Sequence, residues 1–142
     1  MRPLILVGGG GHCKSVIDAA ESAGFTIKGI LDILGNVGKS ILGYQVIGTD
    51  DDISEFVNDC DFVVTVGFIK DTSLRIRLHE KIEKAGGRLA TVIASTAHVS
   101  RYSEIASGTV VLHQATINAS TRIGKGCIIN TSANIEHDAV IG

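Results

Sequence analysis

From Ile93 to the last residue but one, every sixth position is isoleucine or valine: Ile93, Val99, Ile105, Val111, Ile117, Ile123, Ile129, Ile135 and Ile141. Those two residue types make up about a quarter of the chain. Nine consecutive matches at one spacing therefore have a chance probability on the order of one in a hundred thousand, even after the phase is chosen. The residue two places earlier is small each time: Thr91, Ala97, Ser103, Thr109, Ala115, Thr121, Cys127, Ala133 and Ala139. An α-helix needs a period near 3.6 and a strand needs 2, so neither fits. A six-residue period with one large aliphatic and one small neighbour is the signature of a hexapeptide β-helix. Each hexapeptide makes one flat side, three sides close one coil, and the aliphatic side chain points inward onto its counterpart in the next coil. Fewer than three full coils are present, and Ile141-Gly142 begins a hexapeptide. Stacked repeats need neighbours and a cap, so the expectation is a chain cut short, or an open coil covered by a partner chain.

The first half obeys a different rule. "LILV" (residues 4–7) reads as a buried strand running into "GGGGH", and a helix is expected from about His12 to Ala23, ended by Gly24. "FTIKGILD" reads as a second strand, "YQVIG" as a short extended piece, and Thr49 as the cap of a short helix reaching about Val57. "DFVVTVG" reads as a further buried strand, residues 72–87 as an amphipathic helix with Leu74, Ile76 and Leu78 among its apolar residues, and "RLATVI" as the last strand of this half. Alternating strands and helices imply a parallel sheet. The expected fold class is therefore α/β, a small Rossmann-like domain over residues 1–88 followed by a partial parallel β-helix over 89–142.

Composition removes several classes of function. Lys plus Arg is 13 and Asp plus Glu is 15, a near balance that disfavours a nucleic-acid or anionic-membrane surface. No apolar run approaches the roughly 20 residues of a membrane span. The three cysteines, Cys13, Cys60 and Cys127, are odd in number and far apart. They do not suggest a disulfide framework or a metal cluster, and a reducing cytoplasm suits them best.

Four places hold residue types that carry chemistry. Glycines at a strand-to-helix turn let the backbone approach a phosphate, whose charge a helix N-terminus stabilises. "VGGGGHCKS" has that setting but matches neither the dinucleotide fingerprint nor a P-loop, so a plain tight turn remains the alternative. Asp32 lies about 20 residues on, where an acid binds a ribose hydroxyl or merely starts a turn. His137 sits between Glu136 and Asp138, which would orient it and raise its basicity; an exposed turn histidine is the bland reading. Cys13 begins a helix, where a thiol becomes more acidic, but without a base it reads as a packing residue. Arg75, Arg77, His79 and Lys81 read as a solvated helix face.

Taken together, "GGGGH", "ILD", "VTVG" and "NTSANIEHDAVIG" resemble the NeuD/PglD-type sugar acetyltransferases across the whole chain. The resemblance implies a left-handed β-helix and transfer of acetyl from acetyl-CoA, with no metal, to an amine or hydroxyl of a sugar, often nucleotide-linked, in surface-glycan or sialic acid biosynthesis. It places His137 as general base, with Asp138 where relatives carry an acid, usually Glu. Gly10, Gly11 and His12 match the segment that contacts the sugar nucleotide, with Gly67 beside that pocket. Asp32 matches the first of two acids; the second position is Ile33, a departure that leaves the nucleotide open. The resemblance also implies a homotrimer built through the β-helices, with active sites between chains. The alternatives are a non-catalytic accessory protein that binds a sugar nucleotide and, more weakly, a nicotinamide-dependent oxidoreductase, which the broken glycine fingerprint disfavours.

Overall fold

The computed structural model describes residues 1–67 and 72–142. The first part is a six-stranded sheet flanked by helices. In chain order it contains β1 (Leu4–Val7), α1 (Gly11–Ser22), β2 (Ile27–Leu31), β3 (Ser40–Ile41), β4 (Tyr44–Gly48), β5 (Asp61–Val64), α2 (Thr72–Lys84) and β6 (Arg88–Leu89). The spatial order is β3-β4-β2-β1-β5-β6, and every pair is parallel except β3 with β4. All four residues of β1 are at most 2% exposed, because helices cover the central strand on both faces. The strand order reverses direction about β1. Open α/β sheets bind ligands at the carboxyl ends of the strands at such a switch point.

Local boundaries differ from expectation where tertiary contacts compete. β5 stops at Val64; Thr65 still donates its N–H to Val7 O at 2.9 Å, but the chain then leaves the ladder. The β3–β4 hairpin, not anticipated from the pattern, turns on Leu42 and Gly43, both at positive φ. Thr49 caps a 3-10 helix that ends at Glu55, short of Val57. Its hydroxyl accepts from Asp51 N at 3.3 Å, and Asp52 Oδ2 accepts from Thr49 N at 2.9 Å. "RLATVI" divides: β6 joins the sheet, whereas β7 (Val92–Ile93) begins the second part.

That second part is a three-sided prism. Its strands are β7, β8 (His98–Val99), β9 (Glu104–Ile105), β10 (Val110–Val111), β11 (Thr116–Ile117), β12 (Arg122–Ile123), β13 (Ile128–Ile129), β14 (Asn134–Ile135) and β15 (Val140–Ile141). The faces are β7-β10-β13, β8-β11-β14 and β9-β12-β15, all parallel as in a left-handed β-helix. The register joins Ile93 to Val111 to Ile129, Val99 to Ile117 to Ile135, and Ile105 to Ile123 to Ile141. These are the residues of the six-residue period, and all of them except Ile141 share one continuous interior. Val111 and Ile117 are wholly buried and Ile123 is 3% exposed. Burying each such side chain stabilises the fold by about 1.5–3 kcal/mol.

The same period is written in the backbone. Gly108, Gln114, Ser120, Gly126, Ser132 and Asp138 all have positive φ, one at each turn from residue 108 onward. Thr109 and Thr121, buried at small-residue positions, tie one coil to the next by donating to Gly124 O and Glu136 O at 2.9 and 3.1 Å. The sheet part sits on the β7-β10-β13 face: Val16, Ile17 and Ala20 of α1 share one core with Val92, Val110 and Leu112.

Candidate functional site

The loop after β1 is shaped by close approach. Gly8 has φ +126°, and a Cβ there would lie 2.6 Å from Val66 Cγ1. A Cβ on Gly9 would lie 2.3 Å from Asp32 Oδ2. Glycine is required at Gly8, where the positive φ and the nearby Val66 backbone leave no room, whereas at Gly9 a side chain would push the Asp32 carboxylate aside. Gly10 and Gly11 face open space, so their lack of side chains leaves the mouth of the loop clear at the N-terminus of α1. No acidic residue occupies the first turn of that helix, and its exposed N–H groups suit an anion.

Asp32 stands at the end of β2 over this loop. Asn36 donates from Nδ2 to Asp32 Oδ2 at 2.9 Å, and Lys39 donates to Asn36 Oδ1 at 3.1 Å. Sequence reasoning missed Asn36; its signal was a turn asparagine four residues after the acid. A cavity of about 100 Å³ opens here, with Gly8, Asp32, Ile33, Val66 and Leu74 among its walls. Ile33 is exposed at its rim, and Gly67, half-buried, follows Val66.

His12 is half-buried, and its Nε2 is sealed from solvent. Burial, reinforced by the Arg75 guanidinium, holds its pKa below the ordinary value, which favours a neutral imidazole. Cys13 is fully buried, and burial pushes its thiol up to about 11 despite a hydrogen bond with Thr65. It is a packing residue with no thiolate at neutral pH.

The reading of α2 needs correction. Arg75 is 2% exposed and His79 9%, while Leu74 and Ile76 are 38% and 56% exposed. The buried face is Arg75, Leu78, His79 and Ile82, one stripe at helical spacing. Arg75 and His79 are therefore not part of a solvated face; they lie between the helix and the prism.

His137 and Asp138 occupy the prism corner between β14 and β15. Asp138 has φ +63°, and its N–H donates to Ala119 O of the coil below at 3.0 Å. This left-handed turn brings the short carboxylate back onto its neighbour: His137 Nδ1 donates to Asp138 Oδ2 at 2.8 Å. A carboxylate accepts only, so the neutral tautomer leaves Nε2 bare and facing outward as a proton acceptor. The hydrogen bond and charge of Asp138, with help from Glu136, raise the His137 pKa above its usual value.

In Asp138→Asn the His137 pKa is expected to fall, as read by NMR titration of the imidazole; an unchanged midpoint would mean the carboxylate does not act on it. Because the folded-state value is the raised one, any stability from this pair is present below the unfolded pKa and is lost as pH rises through the folded pKa.

The structure thus puts Gly8 and Asp32 on the walls of one crevice, with Gly9 packed against Asp32, leaves Gly10, Gly11, His12 and Gly67 off those walls, and sets His137 with Asp138 elsewhere. The prism has three corners. The two bordering the β7-β10-β13 face are gripped by the sheet part: Ser95 N donates to Ser22 Oγ of α1 at 3.0 Å, and Gly126 O accepts from Arg75 at 3.1 Å. His137 lies on the third corner, opposite the covered face.

A switch-point crevice on a parallel sheet, joined to a hexapeptide prism with a histidine–carboxylate corner, defines a two-part class of α/β and β-helix proteins. The PglD N-terminal domain family matches residues 3–82, and the chain belongs to that family. It is similar to a histidine-to-asparagine variant of perosamine N-acetyltransferase from Caulobacter crescentus, solved with CoA and GDP-perosamine. That similarity is 31% identity with a TM-score of 0.89, covering 97% of this chain and 64% of that one. It is also similar to the acetyltransferase domain of PglB from Neisseria gonorrhoeae with acetyl coenzyme A, at 30% identity and TM-score 0.86, covering 99% and 67%. Uncharacterized protein L142 of Acanthamoeba polyphaga mimivirus is 34% identical over 121 residues, 84% of this chain. The chain spans 23% of that viral protein and less than two thirds of the perosamine enzyme.

Proposed function

We propose that this chain serves acetyl transfer from acetyl-CoA to an amino or hydroxyl group of a nucleotide-linked sugar. The observation that carries the reading is the His137–Asp138 pair, with Nδ1 held at 2.8 Å and Nε2 bare, in the same chain as a phosphate-ready crevice. Structures similar to it hold CoA, acetyl-CoA or GDP-perosamine. In this reading residues 1–88 hold the sugar nucleotide: the α1 N-terminus and Gly10–His12 face the phosphates, and Asp32 accepts from the ribose or base. Residues 89–142 supply the base.

His137 Nε2 takes the proton as the sugar nitrogen or oxygen attacks the thioester carbonyl. The new C–N or C–O bond forms, the C–S bond breaks, and the proton passes to the departing thiolate. No acyl-enzyme is required, in keeping with the raised pKa of Cys13. Because His137 stands opposite the face that the chain's own sheet covers, we take the assembly to be a homotrimer in which one chain's crevice meets another chain's corner. The test is a thermal-shift panel of UDP-, GDP- and CMP-linked amino sugars. One nucleotide class is expected to raise the melting temperature; no response to any of them would remove the sugar-nucleotide reading.

A further inference from the structure

The guanidinium of Arg75 is among the most deeply buried groups of the molecule, yet it lies outside the chemistry described so far. Nη1 donates to Val64 O and Val66 O, each at 2.9 Å, and Nε donates to Gly126 O at 3.1 Å. Val64 ends β5, and Val66, two residues further on, lines the crevice. The third acceptor belongs to a prism corner. Val66 in turn presses on Gly8, and Thr65 between them donates from Oγ1 to Gly8 O at 2.5 Å. One turn along α2, His79 donates from Nδ1 to Arg75 O at 2.9 Å. Its ring lies so near Gly126 that an added Cβ would come within 3.1 Å of it. Contacts therefore run without a gap from the prism corner, through one side chain, to the glycine loop.

We propose that Arg75 is a positioning residue of the nucleotide crevice, locking the Val64–Val66 wall to the Gly126 corner so that crevice geometry depends on the prism. The proposal rests on the nucleotide reading of that crevice. A planar guanidinium serves acceptors on two sides at once from fixed directions; the point charge of a lysine does not. Arginine at this place is thus matched to bridging, whereas charge alone would be met by either residue.

The test compares Arg75→Lys and Gly126→Ala, in the 142-residue chain, by amide hydrogen exchange and by titration with UDP and GDP. Gly126→Ala disturbs the bridge from the prism side and leaves α2 and the crevice untouched in sequence. Both variants are expected to exchange about tenfold faster at Gly8–Gly11 and Val64–Gly67, with β2 unchanged, and to bind the preferred nucleotide about tenfold more weakly, a difference of about 1.4 kcal/mol. Wild-type exchange in those two segments, or a rise spread evenly over the sheet, would overturn the proposal and leave Arg75 a purely structural residue. Failure of the unaltered chain to bind either nucleotide would defeat the nucleotide reading instead, and the exchange data would still decide whether Arg75 holds the wall.

Discussion

Replacing His137 by alanine is expected to lower acetyl transfer to a nucleotide sugar by about 10²–10⁴-fold, the usual contribution of a positioned general base. Sugar-nucleotide affinity should stay within about twofold, because in this reading the glycine loop and Asp32 hold the nucleotide and the His137 corner meets only the reacting end of the sugar. The split follows from placement. His137 is 75% exposed in its side chain and touches nothing in the crevice, so its loss removes a proton acceptor and no binding wall. Turnover and a binding titration on the same preparation check it. The reduction should be greater for a hydroxyl acceptor than for an amine, since a hydroxyl needs its proton removed as it attacks. Undiminished turnover in the variant would take His137 out of the mechanism.

The largest structural effect is expected at Gly8. Alanine there meets two costs together. The backbone at φ +126° is one that side chains rarely adopt, and the new Cβ would fall 2.6 Å from Val66 Cγ1 and 3.0 Å from Val66 N. Strain of about 1–3 kcal/mol and overpacking of about 1–3 kcal/mol sum to a substantial share of a small protein's stability. The backbone atom cannot rotate away as a side chain would. A melting temperature lower by about 10 °C or more in Gly8→Ala is expected by calorimetry. Gly10→Ala, whose Cβ meets open space, should melt close to the unaltered protein. Equal melting of the two variants would contradict the packing described for this loop.

The prism was legible in its register, because that register is the sequence period counted three times, but not in its first strand, which the pattern assigned to the sheet. Eighteen residues separate Ile93 from Val111 and Val111 from Ile129, and nothing in the tertiary structure competes with that arithmetic. The sheet was legible in its elements but not in its edges. β3 is two residues long, and its hairpin rests on Leu42 at positive φ, a conformation that sequence pattern does not advertise for leucine.

Helix α2 shows where reading by residue type fails. Leu74, Ile76 and Leu78 are apolar, but a spacing of two cannot place all three on one helix face. The stripe at 75, 78, 79 and 82 has the correct spacing and contains an arginine and a histidine, so polarity concealed it. Spacing alone would have placed Arg75 and His79 on the buried side.

The crevice and the corner histidine were both visible as motifs. What the sequence could not convey was their separation, because that depends on which prism face the sheet covers. Nor did it reveal how far a short Asp138 carboxylate reaches, because that depends on a left-handed turn.

The most direct test of the central claim is free-thiol release from acetyl-CoA in the presence of the sugar nucleotide that the thermal-shift panel selects, with the product weighed by mass spectrometry. Thiol and mono-acetylated sugar nucleotide are expected in equal amounts, and neither should form unless both acetyl-CoA and the sugar nucleotide are present. A sugar nucleotide that binds and stabilises the protein while no thiol appears would contradict acetyl transfer by this chain and favour a binding protein without catalysis.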